Sequence, residues 1–130
     1  MLLSLSASAI EAEVSPTDRA IQFLTNAHTG IAMDDSEWLS ADARSTGKIA
    51  AYGGLSRLVK QTTAFAREYK GLKSVTVLQV TDEGKAFRIR AEVKFFDEKR
   101  RKKSPAAAER EDMTWVFLVT KEEGKWKLTS

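Results

Sequence analysis

His28 is the only histidine in the chain. Imidazole titrates nearest neutrality, so His28 is the first candidate for a general base or for a donor that orients a ligand. Its spacing also puts it on the apolar stripe of a helix, close to the helix end, where a structural histidine held by the adjoining carbonyls is equally expected. Asp34 and Asp35 offer a carboxylate pair that could divide into an acid with a raised pKa and an ionised base. Adjacent residues point in different directions, however, and aspartate ahead of a helix is first a cap. Tyr52 and Tyr69 could donate hydrogen bonds to a ligand, with Tyr69 also placed to pack on Phe65. The catalytic candidates are therefore His28, Asp34 and Tyr52, and a structural role would account for each of them as well.

Other chemistries lack their residues. The chain has no cysteine, which removes disulfides, thiolate catalysis and cysteine-based zinc sites together, and one histidine does not make a conventional metal site. No metal and no cofactor are expected. There is no glycine-rich phosphate loop, no Gly-x-Ser-x-Gly elbow and no internal repeat. The net charge of +3 comes mainly from one run, Lys99-Arg100-Arg101-Lys102-Lys103. That run could meet phosphates, an acidic protein or a membrane surface, but it has no interleaved aromatics for stacking bases and reads equally as a solvated loop, so specific nucleic-acid binding is not indicated.

Any site must be positioned by the elements around it. With 130 residues of which 42% are hydrophobic, one domain with one core is expected. Ser15, Pro16 and Asp18 form the start signal of a helix whose inward stripe reads Ile21, Leu24, His28 and Ile31, broadened by Phe23 and Ala27, with Gly30 marking its end. Asp34-Asp35-Ser36 can cap a short helix carrying Trp38 and Leu39. Residues 40 to 54 have no period and are expected to turn the chain toward a long helix, on which Leu55, Leu58, Thr62, Phe65 and Tyr69 share a face. Gly71 then supplies its C-terminal cap.

Beyond Gly71 the pattern becomes extended. Residues 74 to 81 are rich in β-branched side chains, Asp82-Glu83-Gly84 turns, and Phe87, Ile89, Ala91, Val93 and Phe95 alternate with Arg88, Arg90, Glu92 and Lys94. Residues 97 to 110 read as a long connection between strands. A third strand, 113 to 120, and a fourth holding Trp126 and Leu128 follow, separated by the turn Glu122-Glu123-Gly124. Four consecutive strands make an antiparallel meander, and helices before it make the class α+β. The third strand is apolar on both faces: Met113, Trp115, Phe117 and Val119 on one, Val116 and Leu118 on the other. Helices cover only one face, so Val116 and Leu118 are expected to meet a second subunit in a homodimer.

A capped helix, a short helix bearing an aromatic residue and a long helix ending in Tyr69-Lys70-Gly71-Leu72-Lys73-Ser74-Val75 precede strands closing on Gly124-Lys125-Trp126-Lys127-Leu128. This order and wording, from about Ser15 onward, resembles the nuclear transport factor two-like superfamily, and more narrowly its small bacterial lumazine-binding-like domains. The resemblance implies a single domain over residues 15–130, a cystatin-like roll in which a curved sheet wraps the helices as a cone. It also implies a ligand cavity at the wide end, touching His28, Trp38, Tyr52, Phe95 and Trp115, with the lysines of the last strand facing water. Enzymes of the superfamily often place an acidic residue inside the cone, but no otherwise apolar strand face here carries one.

The expected function is accordingly a non-catalytic binding or assembly module, which uses the cone or the outer sheet face to hold a small apolar ligand or a protein partner. One alternative is a cofactor-independent isomerase or dehydratase with His28 as base, and another is a component of a secretion or conjugation apparatus. Residues 1–14 contain Ala7-Ser8-Ala9 after an apolar stretch and read either as a flexible terminus or as the remnant of an export signal, which favours an exported or periplasmic location over the cytoplasm. No run is apolar and long enough for a transmembrane helix.

Overall fold

Ser15 opens the first helix, α1 (Pro16–Thr29), because its extended backbone lets the side-chain oxygen accept the Asp18 N–H at 3.0 Å, with proline at a position where no N–H is needed. The structure is a computed structural model that describes residues 15–97 and 114–129, leaving out the side chains of Lys48 and Tyr52. The inner face of α1 is Ala20, Phe23, Leu24, Ala27 and His28, all buried. Ile31, expected on that stripe, is instead 52% exposed. Gly30 ends the helix with a left-handed φ of 78°, so the stripe does not continue past it.

Residues 40 to 54 do not merely turn the chain. After α2 (Asp35–Trp38) they form α3 (Ala41–Thr46) and α4 (Lys48–Tyr52), hinged at Gly47. Ser40 caps α3 by accepting the Ala43 N–H at 3.2 Å. A Cβ on Gly47 would lie 2.7 Å from the Ala43 carbonyl oxygen, so only glycine permits so tight a junction. The long helix α5 (Leu55–Glu68) begins at Gly54, which has no side chain to cap it, and Asp35 takes that role from a distance: its Oδ1 accepts the Leu55 N–H at 3.2 Å. Asp34, at the cap position of α2, makes no side-chain cap and accepts the Ser36 hydroxyl at 2.6 Å.

The sheet follows as β1 (Leu72–Asp82), β2 (Phe87–Phe95), β3 (Thr114–Glu122) and β4 (Lys125–Thr129), antiparallel and in that spatial order. This is the expected α+β meander. On β2 the alternation is as clean in space as in sequence, with Ile89, Ala91, Val93 and Phe95 fully buried and Arg88, Arg90 and Lys94 exposed. Register carries the dry face across β3, since Ile89 lies opposite Phe117 and Ala91 opposite Trp115, and then to Leu128 opposite Val119. Helices α1 and α5 pack together, α1 lies on β1 and β2, and α2 and α3 lie against β4. Glu123 (φ 56°) and Gly124 (φ 78°) form a left-handed pair between β3 and β4, the conformation that two-residue hairpin turns require.

One further feature departs from expectation. Lys127, expected to face water, is 4% exposed, with its ammonium 3.8 Å from Glu122 and 3.9 Å from Glu123. One carboxylate ends β3 and the other sits in the adjoining turn, and the aliphatic stem is covered. Arg19, on α1, joins three elements. Its Nε donates to the Trp126 carbonyl at 2.9 Å, its Nη2 donates to the Glu37 carbonyl at 2.8 Å, and its guanidinium lies 3.5 Å from the centre of the Trp38 ring. The outer-face pair on β3 is divided: Val116 is 55% exposed and Leu118 half-buried, each beside an arginine of β2. Met113, the basic run, most of the 97–110 connection and residues 1–14 lie outside the described residues.

These contacts set expectations for denaturant unfolding. Arg19→Lys keeps the charge and loses the planar fork and the stacking, and is expected to cost about 2 kcal/mol. Asp35→Ala removes the cap on α5 and is expected to cost about 1 kcal/mol, whereas Asp34→Ala stays within about 0.5 kcal/mol. Equal effects of the two aspartates would show that the remote cap contributes nothing.

Candidate functional site

The mouth of the cone lies where α1, the short helices and β3–β4 converge. Phe23 comes from α1, Leu39 and Ile49 from the short-helix segment, Leu58 from α5, and Trp115 and Phe117 from β3; together they line a cavity of about 160 Å³. Each projects inward for a local reason. Trp115 and Phe117 belong to the dry face of β3, and Leu39 is turned in because its backbone forms a parallel bridge with Leu128 while the Ser40 N–H donates to the Leu128 carbonyl at 2.8 Å. Ala43 and Leu128 complete one wall with Val116 at the rim. Among the described residues no ionisable side chain is in the lining, so these residues offer dispersion and shape but no proton transfer.

Of the cavity residues expected from sequence, Trp115 is in the lining. Trp38 is buried beside Phe23, with ring centres 6.1 Å apart, and is held there by Arg19. His28 and Phe95 lie outside the lining, packed against one another at 5.7 Å, and His28 also meets the Trp115 ring edge-on at 5.8 Å. Tyr52 ends α4, and its side chain is not described. Tyr69 is buried on Phe65 and Phe95. Asp34 and Asp35 are exposed and committed to Ser36 and Leu55, so the structure does not bring them to His28.

The His28 ring is 3% exposed. Its Nδ1 lies 2.6 Å from the Leu24 carbonyl oxygen, and a carbonyl only accepts, so the proton sits on Nδ1 and Nε2 carries the free lone pair. Nε2 is buried with no partner, and so is Nε1 of the neighbouring Trp115. Burial pushes the His28 pKa below the ordinary histidine value, partly offset by the bond to Leu24. The imidazole is therefore neutral at pH 7 and enclosed by hydrocarbon.

A second concavity, of about 500 Å³, runs between Gly30–Met33 and α5, where Lys60 and Arg67 border Val59, Thr63 and Ala64. This concavity was not foreseen from sequence, where Gly30 marked the end of the helix and Lys60 and Arg67 were not singled out.

The pH dependence of stability has a definite sign. The unfolded chain takes up the histidine proton before the native state does, so the contribution of neutral His28 is complete above a pH of about 6.5 and is lost as pH falls below it. Between about pH 7.5 and 5.5 the wild type should lose unfolding free energy, and His28→Leu should lose distinctly less. Parallel curves for the two proteins would acquit His28 of that dependence.

No protein-family model matches the chain, and no curated protein matches it in sequence. Among solved structures it is similar to a protein from Campylobacter jejuni described as a candidate NTF2-like transpeptidase, with 16% identity, a TM-score of 0.65, and coverage of 90% of this chain and 99% of that one. At that identity the likeness speaks for the fold alone. Helices followed by a four-stranded antiparallel sheet, superposable over nearly the whole of that neighbour, identify this chain as having the nuclear transport factor two-like fold.

Proposed function

We propose that this chain is a non-catalytic binding module whose cone takes up a small, predominantly apolar molecule. The observation that carries the proposal is the cavity of about 160 Å³ walled by Phe23, Leu39, Ile49, Leu58, Trp115 and Phe117, with no ionisable group in its lining among the described residues. A dry hydrocarbon cavity of about 150 Å³ is large enough to hold benzene, so the size suits one aromatic ring or a short branched chain rather than a drug-sized ligand.

An isomerase or dehydratase would need His28 to face an open space beside a second polar group. His28 instead sits behind Trp115 and makes its one hydrogen bond to a backbone carbonyl. The activity named for the Campylobacter protein would need an activated nucleophile next to a base. Among the described residues no hydroxyl is hydrogen-bonded to His28, so none of them supplies that pairing. Placement in a secretion or conjugation apparatus has no feature in its favour among the described residues either.

The test uses toluene and indole as probes. Near saturation, toluene is expected to raise the melting temperature by about 2–4 °C through preferential binding to the folded state. Ala43→Leu, which fills the wall from α3, should abolish that rise while the protein still unfolds cooperatively. Equal shifts in wild type and variant, or none in either, would rule out the cone as a binding site.

A further inference from the structure

The two edges of the sheet are treated differently. Leu39 and Ser40 occupy the outer edge of β4, whereas among the described residues β1 pairs only with β2. From Leu78 to Asp82 every residue of β1 is exposed. Val80 lies opposite Ile89 in the register, which places its side chain on the core side of the sheet. Ile89 is completely buried and Val80 is 41% exposed, so the apolar layer is uncovered at this edge. Leu78 is the additional residue of a bulge between Val77 and Gln79, has no partner on β2, and is 49% exposed.

The composition of the strand sharpens the point. Val75-Thr76-Val77-Leu78-Gln79-Val80-Thr81 contains no charge, no proline and no glycine, and such uncharged β-prone windows are the ones that add to other strands. Natural edges are usually blunted by a lysine, a proline, an inward charge or a bulge; β1 has Lys73 at its start and the bulge at Leu78, while residues 75 to 81 carry no charge and no proline.

We propose that the β1 edge is an interface, and that its occupant is β1 of a second copy, paired antiparallel about a two-fold axis near Leu78. Antiparallel pairing brings the Lys73 end of one strand against the Asp82–Glu83 end of the other, twice over, although Glu83 also holds Arg88 of its own chain at 2.6 Å. The neutral middle opposes no like charges. Because the β4 edge is already filled, the association closes at two copies and does not propagate into a fibre. Two four-stranded sheets become one. Val116, the alternative contact on the outer face, has Arg90 beside it in the register, and a face-to-face partner would have to desolvate that charge. Edge pairing buries a modest area, so the dimer dissociates in the micromolar range.

Sedimentation velocity from about 5 to about 500 µM should show a reversible monomer–dimer equilibrium. Hydrogen exchange of the 76–82 amides should slow as concentration rises. Val80→Lys should weaken the dimer about tenfold or more. Thr81→Lys, at a position exposed in the monomer, should weaken it without altering the melting temperature of the dilute protein, and Val116→Lys should leave the equilibrium unchanged. A strict monomer over the whole range would overturn the proposal. So would a dimer broken by Val116→Lys and indifferent to both lysines on β1.

Discussion

One guanidinium joins the parts of this molecule that the helices and the sheet do not hold together by themselves. Arg19 projects from α1 to the backbone of β4 and to the end of α2 while lying flat on Trp38. Both its acceptors are main-chain carbonyls, so the contacts fix backbone positions rather than side-chain rotamers. A planar donor with several N–H groups and a stacking face can do all three things at once; an ammonium cannot. The short-helix segment is thereby seated against the last strand, and Leu39 is in place to bridge to Leu128.

The cavity follows from this seating. Its floor belongs to the regular sheet and to α1, where apolar alternation and helical periodicity suffice. Its other wall is made of Leu39, Ala43 and Ile49, from short elements whose positions depend on Arg19, on the Ser40 cap and on the Gly47 hinge. The most tightly determined part of the fold and its least regular part therefore meet at the site. Neutral His28 lies behind them, and its unpaired Nε2 beside the unpaired indole N–H of Trp115 is a cost borne by the core, of the order of 1–3 kcal/mol for each such group.

Much of the fold was legible because its signals are local. The α1 cap, the stripe of α5 and the alternation of β2 each occupy consecutive residues and need no knowledge of a partner. What escaped was set by distant partners or by elements too short to show a period. Helices α3 and α4 have 6 and 5 residues, which is less than two turns, so no stripe can be counted. Asp35 looked like a cap for its own helix because only the folded chain brings the start of α5 to it. Lys127 looked solvated because β4 alternates lysine with Trp126 and Leu128, and Glu122 and Glu123 fold back only at the turn. At the site, Trp115 was legible from strand alternation, whereas Ala43 and Ile49 were not, since the segment that carries them showed no pattern. Residues 74 to 81 read only as a strand rich in β-branched side chains; that β1 is an edge, the bulge at Leu78 and the exposure of Val80 are facts of pairing and packing.

The bridge between the short-helix segment and β4 also bears on the order in which the molecule assembles. Arg19 and Trp126 are separated by 107 residues, and Glu37 and Lys125 by 88. Closing loops of that length carries an entropic cost that the hairpins between neighbouring strands largely avoid. The meander and the α1–α5 pair can condense first, and the seam at β4 closes afterwards. The wall of the cone thus rests on contacts between distant parts of the chain, which cost chain entropy to close. For the proposed binding function, this seam is where a local opening would give access to the cavity without unfolding the sheet behind it.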